Sequence, residues 1–137
     1  MNVLVIDAQG GGLGKQLITA LRKCFPNMNI TAVGTNTMAT GVMLKAGATH
    51  AATGENAVVV CCRKADIIIG PLAIVITDSM YGEITPAMAL AIAQSDAKRI
   101  LIPFNHCDNI VVGIHDYNVT SLIQEAIDEV AKTLPSK

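Results

Sequence analysis

The sequence predicts a three-layer α/β fold around a mostly parallel sheet of five or six strands, and three observations predict it. Short apolar runs alternate with helical periodicities along the whole chain. The apolar mass is Val, Ile, Leu, Ala and Met, with 51% hydrophobic and only 3% aromatic residues, which suits a sheet covered on both faces. The first strand also runs straight into Gly10, Gly11, Gly12 and Gly14, and helical spacing begins there at once. Strand, glycine turn and helix in that order form one βα unit, and repeating such units builds a parallel sheet with right-handed crossovers.

Each element follows in turn. Val3–Asp7 is the first strand, and Leu13, Leu17 and Leu21 mark the inner face of the first helix, which Phe25-Pro26-Asn27 stops. Asn29–Val33 is the second strand, ending at Gly34-Thr35-Asn36. Residues 37–46 form a short helix carrying Met38, Val42 and Leu44, closed by Gly47. Residues 46–52 make the passage into a third strand. Thr53 then caps a helix reaching about Arg63. Asp66–Ile69 is a buried fourth strand, ended by Gly70-Pro71. Ala73–Thr77 reads equally as strand or compact loop. Thr85 as N-cap and Pro86 at the first helical position open the Ala-rich helix 86–94. Arg99–Ile102 is the fifth strand, and Ile110–Val112 is expected as a sixth at the edge. Ser121-x-x-Gln124 has the capping-box form, leading a last helix with Ile123, Ile127, Val130 and Leu134 inward.

The pattern is that of a Rossmann-like domain spanning 1–137 with strand order 3-2-1-4-5(-6). At 137 residues one domain buries roughly 68–70% of its unfolded surface. A ligand is expected outside the carboxyl ends of strands 1 and 4, where the strand order reverses.

Composition excludes several classes. A net charge of −1 gives no electrostatic basis for nucleic-acid binding, and single-strand binding needs aromatics that this chain lacks. No apolar run reaches membrane-spanning length, so the chain is expected in the cytoplasm, with no membrane partner. Cys24, Cys61, Cys62 and Cys107 show no C-x-x-C spacing and read as reduced, mostly buried thiols. Few charges on a small apolar chain predict a homo-oligomer, contacting through the last helix or residues 72–92.

The glycine loop carries the chemistry. Backbone N–H groups at such a turn converge with the helix N-terminus on one point and favour an anion there. Gly10, Gly11, Gly12, Leu13 and Gly14 are therefore expected around a pyrophosphate. Lys15, in the first turn, is placed either to reach a phosphate or to stand in solvent. The loop is not a Walker motif, because Gln9 stands five before Gly14 and Gln16 replaces the metal-binding hydroxyl. Nor is it G-x-G-x-x-G, since Lys15 falls on the third glycine. Asp7 would repel a pyrophosphate unless it bonds the loop, which is preferred here to holding Mg²⁺.

After strand 2, an acid would select NAD and an arginine NADP. Thr35 and Asn36 are neither, and without a carboxylate the reading leans to NADP over NAD. Glu55 and Asn56, after strand 3, are expected near an adenine, or else serve the helix start. Gly70 and two polar stretches, Thr77–Glu83 and Asn105–Asp108, would flank the nicotinamide. They hold the candidate acid–base groups Asp78, Tyr81, Glu83 and His106. His106, Cys107, Asp108 and His115 fit no usual zinc spacing, so no metal is assigned.

The loop resembles the T-G-x-x-x-G-x-G loop of the short-chain dehydrogenase/reductases, through Gly12-Leu13-Gly14-Lys15, with Asp7 and Ala8 replacing the Thr and first Gly. That family's Tyr-x-x-x-Lys is absent, since Thr85 stands four after Tyr81 and Ser121 four after Tyr117. Across nearly its whole length the chain resembles an uncharacterised family of short, stand-alone bacterial proteins. The residues that carry this are 7–15, 32–36, 52–56, 82–89 and 102–105. That resemblance implies a Rossmann-like fold and brings no activity. The reading is a dinucleotide-binding sensor or subunit. Its alternatives are a small NAD(P)-dependent oxidoreductase completed by a second protomer, and a ligand-free structural or interaction protein.

Overall fold

The computed structural model describes residues 1–104, 108–114 and 118–135. Its elements run β1 (Asn2–Asp7), α1 (Gly12–Cys24), β2 (Asn29–Gly34), α2 (Thr37–Lys45), β3 (His50–Thr53), α3 (Glu55–Cys62), β4 (Ile67–Pro71), α4 (Pro86–Gln94), β5 (Lys98–Ile102) and α5 (Val119–Thr133). The sheet order is β3-β2-β1-β4-β5 with every pair parallel, as the alternating pattern requires. β1 is central: Asn2 lies opposite Asn29, Asp7 opposite Gly34, and Val3 opposite Ile67 on the other side.

Alternation along β1 divides the core in two. Val3 and Val5 pack with Leu17, Leu21, Ile123 and Ile127 under α1 and α5, while Leu4 and Ile6 pack with Val58, Met88 and Ile92 under α3 and α4. Each such buried aliphatic side chain contributes about 1.5–3 kcal/mol, so a sheet covered on both faces is where this composition finds its stability. The connection from β1 to β2 passes over one face and that from β4 to β5 over the other. A crevice therefore opens at the carboxyl ends of β1 and β4.

Several local expectations are corrected. Among the described residues the sheet stops at β5. Ile110 and Val112 are 89% and 93% exposed and lie between left-handed turns at Asp108 (φ 59°) and Gly113 (φ 90°), so no sixth strand forms there. Leu72–Val75 is a single 3₁₀ turn rather than a strand, and β4 runs on through Gly70-Pro71 before it begins. α3 starts from Gly54, whose φ of 101° suits glycine alone, while Thr53 stays in β3 with its hydroxyl 2.7 Å from that of Thr40. Asn118 rather than Ser121 caps α5, its side chain accepting from the Ser121 amide at 3.1 Å. The apolar face of α5 is spent inside the domain, with Leu122, Ile123, Ala126, Ile127 and Val130 buried. In α2 the buried residues are Ala39 and Met43, whereas Met38 and Leu44 face outward. Cys24 is exposed and Cys61 half-buried, and burial pushes the Cys62 thiol up to about 11. No helix among the described residues is long and apolar enough to cross a membrane.

Candidate functional site

At the carboxyl end of β1 the chain turns through Ala8–Gly11 into α1. Gln9 and Gly11 take left-handed conformations (φ 52° and 74°), and the Gly11 amide closes the turn onto the Ala8 carbonyl at 3.0 Å. The glycines of this loop divide into two kinds. A Cβ on Gly11 would lie 2.8 Å from the Ala39 backbone, and one on Gly14 would lie 2.5 Å from the Met43 sulfur and 3.0 Å from Asp7 Cβ. Those two are needed so that α1 can approach β1 and α2. Gly10 and Gly12 are exposed, and a Cβ on either would meet nothing within 4 Å. Packing does not demand glycine there. The space beside them is open crevice. Gly70, by contrast, is set by packing, because its Cβ would run into the Ile6 carbonyl of the neighbouring strand.

The crevice is a cavity of about 180 Å³, lined by residues 7–13 with Pro71, Met80 and Phe104 around it. Larger hollows of about 420, 470 and 390 Å³ lie against α3–α4, beside β5–α5 and around residues 25–29. One of about 190 Å³ lies at the amino ends of β1 and β2. None of them is lined by a glycine, so the chemistry points to the smaller cavity. The amides of Gly12 and Leu13, at the start of the 13-residue α1, find no acceptor among the described residues. Two unpaired N–H groups at the positive end of a helix are donors for an incoming oxyanion.

Asp7 sits beneath this point, 5% exposed. Its Oδ1 accepts from the Ala8 amide at 2.8 Å and its Oδ2 from the Gly14 amide at 2.7 Å. The carboxylate thus supports the turn, and both of its oxygens are engaged by backbone. Burial pushes its pKa up, the Gly14 and Ala8 amides pull it down, and the nearby Glu83 charge adds to the rise.

Glu83 arrives from the segment joining β4 to α4. Asp78, Met80 and Tyr81 there hold φ values of 66°, 54° and 58°, followed by Gly82 at 86°. Left-handed backbone costs non-glycine residues about 1–2 kcal/mol each, so the surroundings must hold this run in place. They do so through the Ser79 hydroxyl on the Ala73 carbonyl (2.6 Å), the Asp78 amide on the Ile84 carbonyl (2.7 Å) and buried Met80 and Ile84. The run delivers Glu83 Oε1 to three donors: the Gln9 amide at 2.8 Å, Thr35 Oγ1 at 2.7 Å and Asn36 Nδ2 at 2.9 Å. Partial burial opposes the charge, but these three donors outweigh it and hold the carboxyl below its usual range.

The sequence-predicted residues therefore scatter and gather unevenly. Asp7, Gly10–Leu13, Thr35, Asn36 and Glu83 come together at the ends of β1 and β2. Glu83 lies on the β2 side, not at the far end of the crevice expected for Thr77–Glu83, because its loop crosses over β1. Asp78 is exposed and Tyr81 fully so, while Lys15 projects from the first turn of α1 as an exposed side chain. Asn56 is exposed, and Glu55 accepts from the Thr85 hydroxyl at 2.6 Å, tying α3 to α4. His106, with Asn105, Cys107, His115 and Tyr117, lies outside the described residues. The described residues include no group of three metal-ligating side chains. Gln9 and Met80 belong to the site as well. Nothing in a linear reading marked them, since Gln9 contributes backbone and Met80 an apolar wall.

A family model for the domain of unknown function DUF3842 matches residues 2–135. The chain belongs to this family. DUF3842 is the uncharacterised family that the sequence resembles, and its description carries no activity. No curated protein matches the chain. Among solved structures, this DUF3842 chain is similar to a dodecameric FMN-dependent Ubix-like decarboxylase from Escherichia coli O157:H7. The two share 16% identity over 96% of this chain and 95% of that one, with a TM-score of 0.48. The likeness is one of chain path.

Proposed function

We propose that this protein binds a nucleotide, of the dinucleotide kind, with a phosphate on the amides of Gly12 and Leu13, and acts as a sensor or subunit. One observation carries the reading. Gly10 and Gly12 border open crevice that a side chain would fill, beside two amides at the amino end of α1 that find no acceptor among the described residues. Phosphate oxygens need close approach to backbone at such a point, and glycine alone leaves the room.

A binding role is favoured over catalysis by the state of two carboxylates, Asp7 in the crevice and Glu83 beside it. A general base works best with a pKa near the working pH and with a free oxygen aimed at the proton it takes. Glu83 is held below the ordinary carboxyl range by its three donors, and both Asp7 oxygens are occupied by backbone amides. Self-association is part of the proposal, with exposed Leu90 of α4 at the contact.

The test is a thermal-shift screen of NAD⁺, NADP⁺, their reduced forms, FAD, FMN, ATP and GTP. FMN belongs in the panel because its single phosphate needs only one such seat. A specific ligand at a hundred times its Kd stabilises by about 2.7 kcal/mol. A screen flat throughout contradicts the proposal.

A further inference from the structure

We infer that Glu83 is the acid that receives the ligand's ribose diol, and that it selects an unmodified ribose over one bearing a 2′-phosphate. The inference rests on the nucleotide reading above and deepens it by naming what meets a ligand that extends from the crevice over the end of β2. Doubly wound nucleotide folds hold the ribose with a carboxylate beyond β2, or hold a 2′-phosphate there with an arginine. Here β2 ends in Gly34-Thr35-Asn36, with no acid and no cation.

The structure supplies the missing carboxylate from another loop. Glu83 Oε1 is fixed over the end of β2 by Gln9, Thr35 and Asn36, while Oε2 has no partner among the described residues. An ionised carboxylate only accepts hydrogen bonds. What Oε2 can add is therefore a donor, and a ribose hydroxyl is one where a phosphate dianion is not. The side-chain donors that hold Glu83 are also committed. Asn36 Oδ1 caps α2 by accepting from the Ala39 amide at 2.9 Å, and its Nδ2 is shared between Glu83 and the Gln9 carbonyl. Neither the Thr35 hydroxyl nor the Asn36 side-chain amide is free to turn toward a second anion. No lysine or arginine among the described residues pairs with Glu83. The lean toward NADP drawn from strand 2 alone is reversed, because its premise was a corner without a carboxylate.

Isothermal titration of the full chain with NAD⁺ and NADP⁺, which differ only in the 2′-phosphate, tests this directly. The expected result is NAD⁺ at least about tenfold tighter. In Glu83→Gln the two should fall within about threefold, NAD⁺ weakening and NADP⁺ strengthening as the charge is lost. Thr35→Val keeps the charge but frees the carboxylate from one of its donors, and should reduce the preference part-way. This second variant keeps the inference testable if Glu83→Gln unfolds. Equal or tighter NADP⁺ binding by the natural chain overturns the inference, as does an unchanged ratio in Glu83→Gln, which leaves Glu83 a strut between loops. FMN binding without either dinucleotide overturns it while sparing the phosphate seat. Binding of no nucleotide at all removes the parent reading and this one together.

Discussion

Gly14→Ala and Gly12→Ala should behave oppositely although both lie in the first turn of α1. At Gly14 the new methyl meets the Met43 sulfur at 2.5 Å and Asp7 Cβ at 3.0 Å, and Met43 must shift within the buried core to admit it. Overpacking of this kind costs about 1–3 kcal/mol. The shift also strains the 2.7 Å bond from the Gly14 amide to Asp7, and a hydrogen bond to a charged group is worth about 1.5–3 kcal/mol. Against these stands a helix-propensity gain of at most about 1 kcal/mol. The net expectation is a loss of about 2 kcal/mol, or a fall in Tm of roughly 6–10 °C for a domain of this size. Gly12→Ala meets nothing within 4 Å, so its stability should stay within about 0.5 kcal/mol of the natural chain. Urea unfolding with both midpoints compared at unchanged m-value is the assay. A Gly14→Ala protein as stable as the parent, or a Gly12→Ala protein more than about 1 kcal/mol weaker, refutes the division of the glycines.

Three further outcomes follow from the same structure. Glu83 is held below its usual value of 4.5 in the folded state, so its contribution is present above that pH and is lost as pH falls through the lowered folded value. Glu83→Gln should flatten the acid side of the stability–pH curve, and an unchanged slope below pH 4.5 would contradict the three-donor geometry. Arg22 ties the end of α1 to the carbonyls of Pro26, Met28 and Gly47 and to the Thr49 hydroxyl, over 2.7–3.2 Å. Arg22→Lys cannot reproduce that fork and should cost about 2 kcal/mol, measured by denaturant midpoint. Iodoacetamide with peptide mapping should modify exposed Cys24 well before Cys62, whose thiol is buried and pushed up to about 11. Equal rates would contradict the packing of α3.

The fold was legible because its signals are local and repeated. Apolar runs such as Ile67–Ile69 are too short for helices, the 3.6-residue stripe of α1 is clean, and Thr85-Pro86 announces α4 by capping chemistry alone. Parallel order then follows from alternation. The errors fall where two local rules compete. Thr53 is a good cap, but the positive φ at Gly54 moved the helix start by one residue and left Thr53 to the strand. Ile110–Val112 has strand composition, but turns on both sides leave it without a neighbour. At the site, the strand–glycine–helix order is local, and Asp7 was readable as a support of the loop because its amide partners, Ala8 and Gly14, lie within seven residues. The placement of Glu83 was not. Its bond to Thr35 spans 48 positions, and its approach depends on a left-handed run through Asp78, Met80 and Tyr81 that side-chain chemistry does not announce.

The most direct measurement is a ¹⁵N-HSQC titration of the assigned protein with NAD⁺. If the crevice seats a phosphate on the free amides of α1, saturable shifts should centre on Gly10, Gly12 and Leu13, extend to Thr35 and Asn36, and disappear in Gly12→Val, which fills the open space without touching the core. Amide spectra that stay unchanged to millimolar NAD⁺ would contradict dinucleotide binding at this loop, and shifts that survive intact in Gly12→Val would contradict its assignment as the phosphate seat.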